Sequence, residues 1–127
     1  MSTKESRVFV PEHKAHLQKI IKSNRIVVLK LGATWCRPCV LCAPHFAEMS
    51  KHYPDVVFLS VDIDDNCGNS TWSELFKCTG VPKFLTFLNF QSSEDFMGAD
   101  LAPIAEWINT AKKIIQQTTA LNTEDSY

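Results

Sequence analysis

Nearly continuous runs of apolar residues in this chain predict five β-strands. The predicted strands, in chain order, are residues 7–10, 26–31, 56–61, 83–90 and 91–97. Runs 26–31 and 56–61 contain almost no polar positions, which is typical of strands that are covered on both faces of a sheet. The last run is weaker and follows the fourth run closely, so we expect these two strands to pair as a hairpin.

Apolar positions spaced three or four residues apart predict four helices between and after these strands. The predicted helices are residues 11–24, residues 36–53, a short helix through Cys78 capped by Asn69, Ser70 or Thr71, and a last helix capped by Asp100. Pro11 suits the first turn of its helix, and Gly80 would end the short one. Pro44 lies inside the second helix and predicts a kink there.

Strands that alternate with helices predict an α/β domain, with a mainly parallel sheet between helical layers and an antiparallel edge from the closing hairpin. The 127 residues fit a single domain. We place it at residues 6–119, between a flexible N-terminal tail (residues 1–5) and a polar C-terminal tail (residues 120–127). Sites in such sheets lie at the carboxyl ends of strands. A cysteine-rich segment follows strand 26–31 at that end.

The charge balance changes the picture little. Thirteen basic and 14 acidic residues give a net charge of −1, which offers no reason to expect a nucleic acid or an anionic membrane as a partner. No apolar run approaches the ~20 residues that span a bilayer. The first residues carry no secretory signal, so we expect a cytoplasmic protein.

Three of the five cysteines lie at intervals of three in the segment ATWCRPCVLC, residues 33–42. Cys36 falls at the first turn of the predicted helix, where the helix dipole should lower the pKa of its thiol below the ~8.5 of a free cysteine. Arg37 adds positive charge, and Pro38 stiffens the turn. Cys39 lies one turn further on and should be more buried. An exposed nucleophile beside a resolving thiol is what thiol–disulfide exchange requires; the alternative is a structural cysteine pair.

The segment WCRPC, residues 35–39, closely resembles the active-site motif of the thioredoxin family. The resemblance continues in order through Pro44 and through residues 58–65, 80–87 and 96–100, so that it spans almost the whole chain. It implies the thioredoxin fold, a central mixed sheet of about five strands flanked by four helices. It also implies a cis peptide bond before Pro82, with Val81 offering its backbone to a bound peptide.

The resemblance implies an enzyme that reduces protein disulfides through Cys36 and Cys39. Substrates would dock on a surface that consists of Trp35, Arg37, Pro38, Val81 and Pro82. It implies a monomer with no bound cofactor or metal, which a thioredoxin reductase drawing on NADPH, or the glutathione system, returns to the dithiol. The alternative is a binding module of the same fold, with residual or altered redox activity.

Lys30 departs from the family pattern, since the family commonly has a buried acid six residues before the nucleophile. A lysine in a buried strand is costly, because desolvation disfavours its charge. Two hypotheses follow: Lys30 relays protons or tunes a thiolate electrostatically, or its side chain extends to an acid such as Asp62 and has no chemical role. Lys83, just after Pro82, should face solvent.

The remaining cysteines divide by position. Cys42 and Cys78 fall at positions that the family uses for its core, and we expect both to pack there. A zinc site formed by Cys36, Cys39 and Cys42 would need a fourth ligand. The candidates, His45 and Cys67, lie at no spacing that is familiar from zinc sites. Cys67 lies in a turn and should be exposed, open to an intermolecular disulfide or to glutathione.

Overall fold

The computed structural model describes the backbone of residues 6–125 and the side chains of residues 6–119. The predicted N-terminal tail, residues 1–5, lies outside this range. The elements are β1 (Val8–Phe9), α1 (Lys14–Ser23), β2 (Ile26–Gly32), α2 (Arg37–His52), β3 (Val57–Asp62), α3 (Trp72–Phe76), β4 (Lys83–Leu88), β5 (Gln91–Met97) and α4 (Ala102–Asp125). Helix α4 continues through six residues of the predicted C-terminal tail.

The five strands form one mixed sheet in the order β1-β3-β2-β4-β5. Strand β3 pairs in parallel with β1 and β2, whereas β4 pairs antiparallel with both β2 and β5. The sequence predicted a mainly parallel sheet, so the antiparallel β2–β4 pairing is a correction. The connection of residues 63–82 holds only the five-residue helix α3, and β4 begins at the same edge of the sheet at which β3 ends, with Asp62 paired to Gly32 and Lys83 to Leu31.

Strand β2 forms the centre of the core, and all seven of its residues are buried. Its odd-numbered residues, such as Leu29, pack with α1 and α3. Its even-numbered residues, such as Val28, pack on the other face with Phe46 of α2 and Ile108 of α4. This alternation is the ordinary period of two of a strand, and it places Lys30 on the α2 side.

Two helix boundaries differ from those predicted. Helix α1 begins after His13, whose Nδ1 accepts a hydrogen bond from His16 N at 3.1 Å, so Pro11 lies before the helix. Thr71 caps α3 through a capping box with Glu74, but α3 ends at Phe76. Lys77 adopts the left-handed conformation there, with φ of 50°, and so ends the helix before the predicted stop.

Candidate active site

The cysteine segment lies where β2 ends and α2 begins. Cys36 is the N-cap of α2, with extended backbone, and its amide donates to Ala33 O at 3.2 Å. The amide of Cys39 donates to Cys36 Sγ at 3.3 Å. The sulfur therefore takes the place of the side-chain oxygen that commonly caps a helix. This confirms the predicted position of Cys36 at the start of the helix.

Cys36 and Cys39 are joined by a disulfide bond, with their Cα atoms 5.3 Å apart. Cys36 is 6% exposed and Cys39 is 2% exposed. The predicted order of burial is therefore correct, but Cys36 presents only a small part of its surface to solvent. A partner must approach it past the residues that flank it, which include Trp35 and Val81.

The loop before β4 lies against Cys36. The Val81–Pro82 peptide bond is cis, as predicted, and Val81 O lies 3.7 Å from Cys36 Sγ. Pro82 O accepts from Gly98 N at 2.9 Å, which ties the loop to the end of β5. Because β2 and β4 are antiparallel, the end of one strand meets the start of the other, with Leu31 opposite Lys83.

Trp35 directly precedes Cys36 and is exposed beside it. Its side chain is 67% exposed, in agreement with the predicted surface position, and its Nε1 donates to Asp64 Oδ2 at 2.8 Å. Asp64 N in turn donates to Asp62 Oδ1 at 2.9 Å. Asp64 was not predicted as a site residue, although the acidic run at residues 62–65 follows β3 at the same sheet edge. Arg37 and Pro38 are exposed on the first turn of α2.

Comparisons with known proteins agree with this geometry. The thioredoxin family model matches residues 7–110. The chain is 33% identical over 102 residues to a thioredoxin of Geodia cydonium, covering 78% of this chain and 93% of that relative. It is 36% identical over 100 residues to a thioredoxin of Ovis aries, covering 77% and 92%. A solved thioredoxin of Plasmodium falciparum is 30% identical, with a TM-score of 0.70, over 80% of this chain and 96% of that one.

The chain belongs to the thioredoxin family. The fold and the family inferred from the sequence are thus confirmed. Because a bonded cysteine pair lies at the start of α2, this member of the thioredoxin family is a dithiol–disulfide oxidoreductase. Its enzyme class is that of a protein-disulfide reductase. The thioredoxins that it resembles need no bound cofactor. Within residues 6–119 no group of three or more acidic, histidine or cysteine side chains is placed to hold a metal ion.

Asp64 orients the exposed tryptophan of this thioredoxin-family site. Asp64→Ala removes the acceptor of the indole N–H, so Trp35 should lose its fixed orientation beside Cys36. We expect KM for a protein disulfide to rise about threefold while kcat changes little, because one hydrogen bond at an exposed site contributes about 0.5–1.5 kcal/mol. Asp65→Ala is the matched control, since the Asp65 side chain is also exposed. Equal kinetics in the two variants would contradict the orienting role.

Lys30 is 6% exposed, and its Nζ donates to Cys39 O at 3.2 Å. No carboxylate lies within 4 Å of this nitrogen among the described side chains, so the expected extension to Asp62 is not found. Burial lowers the pKa of Lys30 from its usual value, and electrostatic interaction with the neighbouring Cys42 opposes this shift in part. Lys83 is less exposed than expected, with its Nζ 3.9 Å from Asp95 Oδ2.

The other three cysteines are free thiols. Cys42 packs in the core as predicted, and its Sγ donates to Cys39 O at 3.5 Å. Cys78 is partly buried against the core, with Sγ 3.2 Å from Gly80 O. The prediction for Cys67 is wrong, because this residue is 3% exposed. Its loop folds under α1, where Lys14 N donates to Cys67 O at 2.8 Å, so the sulfur presents little surface to glutathione or another chain.

Proposed function

We propose that Cys36 is the attacking thiol and Cys39 the resolving thiol of this oxidoreductase. The Cys36 thiolate attacks one sulfur of a substrate disulfide, which forms a mixed disulfide and releases the other substrate sulfur as a thiolate that takes up a proton. Cys39 then loses its proton and attacks Cys36 Sγ. The bond between Cys36 and the substrate breaks, the reduced substrate leaves, and the Cys36–Cys39 disulfide remains.

The helix cap carries this proposal. The Cys39 amide points at Cys36 Sγ at 3.3 Å, and a hydrogen bond of this kind favours the charged form of the sulfur. The positive end of the α2 dipole acts in the same direction. Cys39 is the more buried of the two, at 2% exposed against 6% for Cys36, which suits a thiol that reacts with a partner already bonded to Cys36. The two cysteines therefore differ in the way that their two roles require.

The docking surface around Cys36 consists of Trp35, Arg37, Pro38 and Val81, whereas Pro82, also predicted from the sequence, is buried next to Val81. Trp35 supplies exposed apolar area with a fixed orientation, and Arg37 supplies positive charge. The carbonyl of Val81, 3.7 Å from Cys36 Sγ, can accept a hydrogen bond from the backbone of an extended substrate segment. A segment held there would place its disulfide in line with the attacking sulfur.

The physiological setting follows from the same proposal. The protein acts as a cytoplasmic monomer that passes electrons to protein disulfides. A thioredoxin reductase that draws on NADPH, or the glutathione system, returns the Cys36–Cys39 pair to the dithiol. The near-neutral charge supports a protein substrate over a nucleic acid. Within the described part of the chain, no helix has the length and apolar character that a membrane crossing demands.

Cys39→Ser tests the assignment of the two roles. Because the variant keeps the attacking sulfur but lacks the resolving one, a mixed disulfide between Cys36 and the substrate should accumulate and persist until dithiothreitol is added. Non-reducing electrophoresis and peptide mass spectrometry detect it. Cys78→Ser, a like change at a partly buried thiol, should turn over normally and trap nothing. Adducts on any cysteine other than Cys36, or none in the Cys39→Ser variant, would overturn the assignment.

A further inference from the structure

The buried amine of Lys30 lies beside the resolving cysteine. The position that a Cβ on Gly32 would occupy is 3.5 Å from Lys30 Cε and 3.6 Å from both Cβ and Sγ of Cys39. The lysine stem and the Cys39 sulfur therefore line the same small space. Lys30 Nζ also bonds to the Cys39 carbonyl at 3.2 Å. The sulfur and the carbonyl oxygen of Cys39 are thus both close to the Lys30 side chain.

A cleft of about 210 Å³ opens from this space to solvent. Lys30, Gly32, Thr34, Cys39, Ser60 and Asp62 are among the residues that line it. The titratable groups that face Lys30 are Cys39 and Cys42 from α2 and Asp62 from β3, whereas its register partners Ser60 on β3 and Phe84 on β4 carry no charge. The cleft gives protons and water a route to the amine without any movement of the sheet.

While the disulfide is closed, Lys30 has no carboxylate within 4 Å of its amine among the described side chains, and the Cys39 sulfur carries no charge. A buried ammonium without an anionic partner is costly, because the protein interior replaces its hydration poorly. Reduction of the disulfide places an ionisable sulfur on Cys39 next to the amine. Cys42 does not fill this role, since its thiol is present in both redox states and donates its proton to the Cys39 carbonyl.

We propose that Lys30 is the counter-ion of the Cys39 thiolate and that it shifts the thiol–disulfide equilibrium of the Cys36–Cys39 pair toward the dithiol. This inference rests on the proposed function, because it concerns the resolving sulfur. Lys30 is a positioning residue in this scheme, since it acts through Cys39 and touches no substrate. A positive charge on a side chain that lines the same small space as the Cys39 sulfur stabilises the reduced protein and makes Cys39 ready to attack the mixed disulfide.

The exchange with glutathione balances as follows. Two molecules of glutathione reduce the Cys36–Cys39 disulfide and leave as one glutathione disulfide. One of the two glutathione thiol protons stays on the cysteine pair. The other passes to the Lys30 amine if that amine is neutral, and otherwise leaves to solvent. The product carries a Lys30 ammonium, one thiol and one thiolate, and the thiol proton exchanges between the two sulfurs, so that Cys36 is the thiolate when it attacks a substrate. In the mixed disulfide Cys39 gives up that proton and is the thiolate beside Lys30.

Protein stability should report the same coupling. Burial lowers the pKa of Lys30 in the folded oxidised protein, so the unfolded chain binds more protons between that pKa and the ~10.4 of a free lysine. The folded protein therefore gains stability as the pH rises through this window. Lys30→Met should stabilise the oxidised protein most below the window, and the gain should fade as the pH rises. In the reduced protein the gain should be smaller, because the variant also loses the ion pair.

The experiment is a redox titration of Lys30→Met against wild type in glutathione buffers at neutral pH. We expect the ratio of squared glutathione to glutathione disulfide at half-reduction to rise about tenfold in the variant, the effect expected of one nearby charge. Lys22→Met makes the same change of net charge on an exposed turn of α1 and should leave the ratio unchanged. Lys30→Arg, which keeps the charge, should restore most of the wild-type ratio.

A second measurement covers the case in which Lys30→Met folds poorly. In a Cys36→Ser background, the ultraviolet absorbance of the Cys39 thiolate is followed against pH. Lys30→Gln should move that titration upward by about one pH unit relative to the background alone. An unchanged titration, an unchanged half-reduction ratio, or an equal stability gain in the oxidised and reduced forms would overturn the counter-ion role. If wild type reduces disulfides normally while these results are obtained, the proposed function stands and this inference fails.

Discussion

Cys36→Ser is expected to abolish the reduction of protein disulfides, with a loss of at least about a thousandfold in kcat/KM. The serine hydroxyl stays protonated at neutral pH, and no exchange with a disulfide follows. Loss of a nucleophile that acts as part of a catalytic unit costs at least this much in other enzymes. Serine is also a favoured N-cap, so α2 and the fold should remain intact. Insulin reduction coupled to a regenerating reductase measures the effect, and circular dichroism checks the fold.

Cys78→Ser is the control for this result. It makes the same change at a thiol that bonds to the Gly80 carbonyl instead of to another sulfur, and activity should remain within about twofold of wild type. If Cys36→Ser kept a tenth or more of the wild-type rate, the role of this sulfur in disulfide reduction would be refuted. Such a result would leave a binding module of the same fold as the better account of the protein.

Phe46→Ala should lower the free energy of unfolding by about 3–5 kcal/mol. Phe46 is 1% exposed and joins α2 to the sheet. Its ring lies 5.4 Å from the ring of Phe58 on β3 and 5.5 Å from the ring of Phe84 on β4. Removing it leaves a cavity under the helix that carries both reactive cysteines. Urea denaturation of the oxidised protein, followed by fluorescence, gives the change.

Phe9→Ala is the matched control for the core variant. Phe9 is 57% exposed on the edge strand β1, so the same truncation should cost less than about 1 kcal/mol. Phe46→Leu keeps most of the volume and should lose about half as much stability as Phe46→Ala, which keeps the test available if the alanine variant does not fold. Similar losses for Phe9→Ala and Phe46→Ala would show that this part of the core is not packed as described.

The sequence sufficed to predict those parts of the fold that depend on local pattern. Strand β2 was recognisable because its apolar run is unbroken except at Lys30. The start of α2 was recognisable because Cys36 begins a helical pattern just after that strand. The pairing of β2 with β4 was harder to foresee, since it depends on the edge at which the connection of residues 63–82 returns to the sheet. Chain geometry between elements decides strand direction, and an apolar pattern carries no record of it.

Long-range contacts account for the failures at single residues. Cys67 was assigned to the surface because turn residues are usually exposed, but its carbonyl pairs with Lys14 N and its loop packs beneath α1. The Trp35–Asp64 hydrogen bond joins residues 29 positions apart. The mismatch at Lys30 was visible in the sequence, whereas its bond to the Cys39 carbonyl required coordinates. Side-chain partners of this kind are set by tertiary packing.

The antiparallel pairing of β2 and β4 also fixes the position of the Val81 carbonyl relative to Cys36. It holds Leu31 opposite Lys83, and these residues lie five and two positions from Cys36 and Val81. A slip of one residue would move the Val81 carbonyl by about 3.4 Å and carry it away from the sulfur. The hydrogen bonds between β2 and β4 that stabilise the centre of the sheet thus also determine how a substrate held by Val81 is aligned with the Cys36 sulfur. Any substitution that weakens the pairing of β2 and β4 should lower the rate of disulfide reduction before it unfolds the protein.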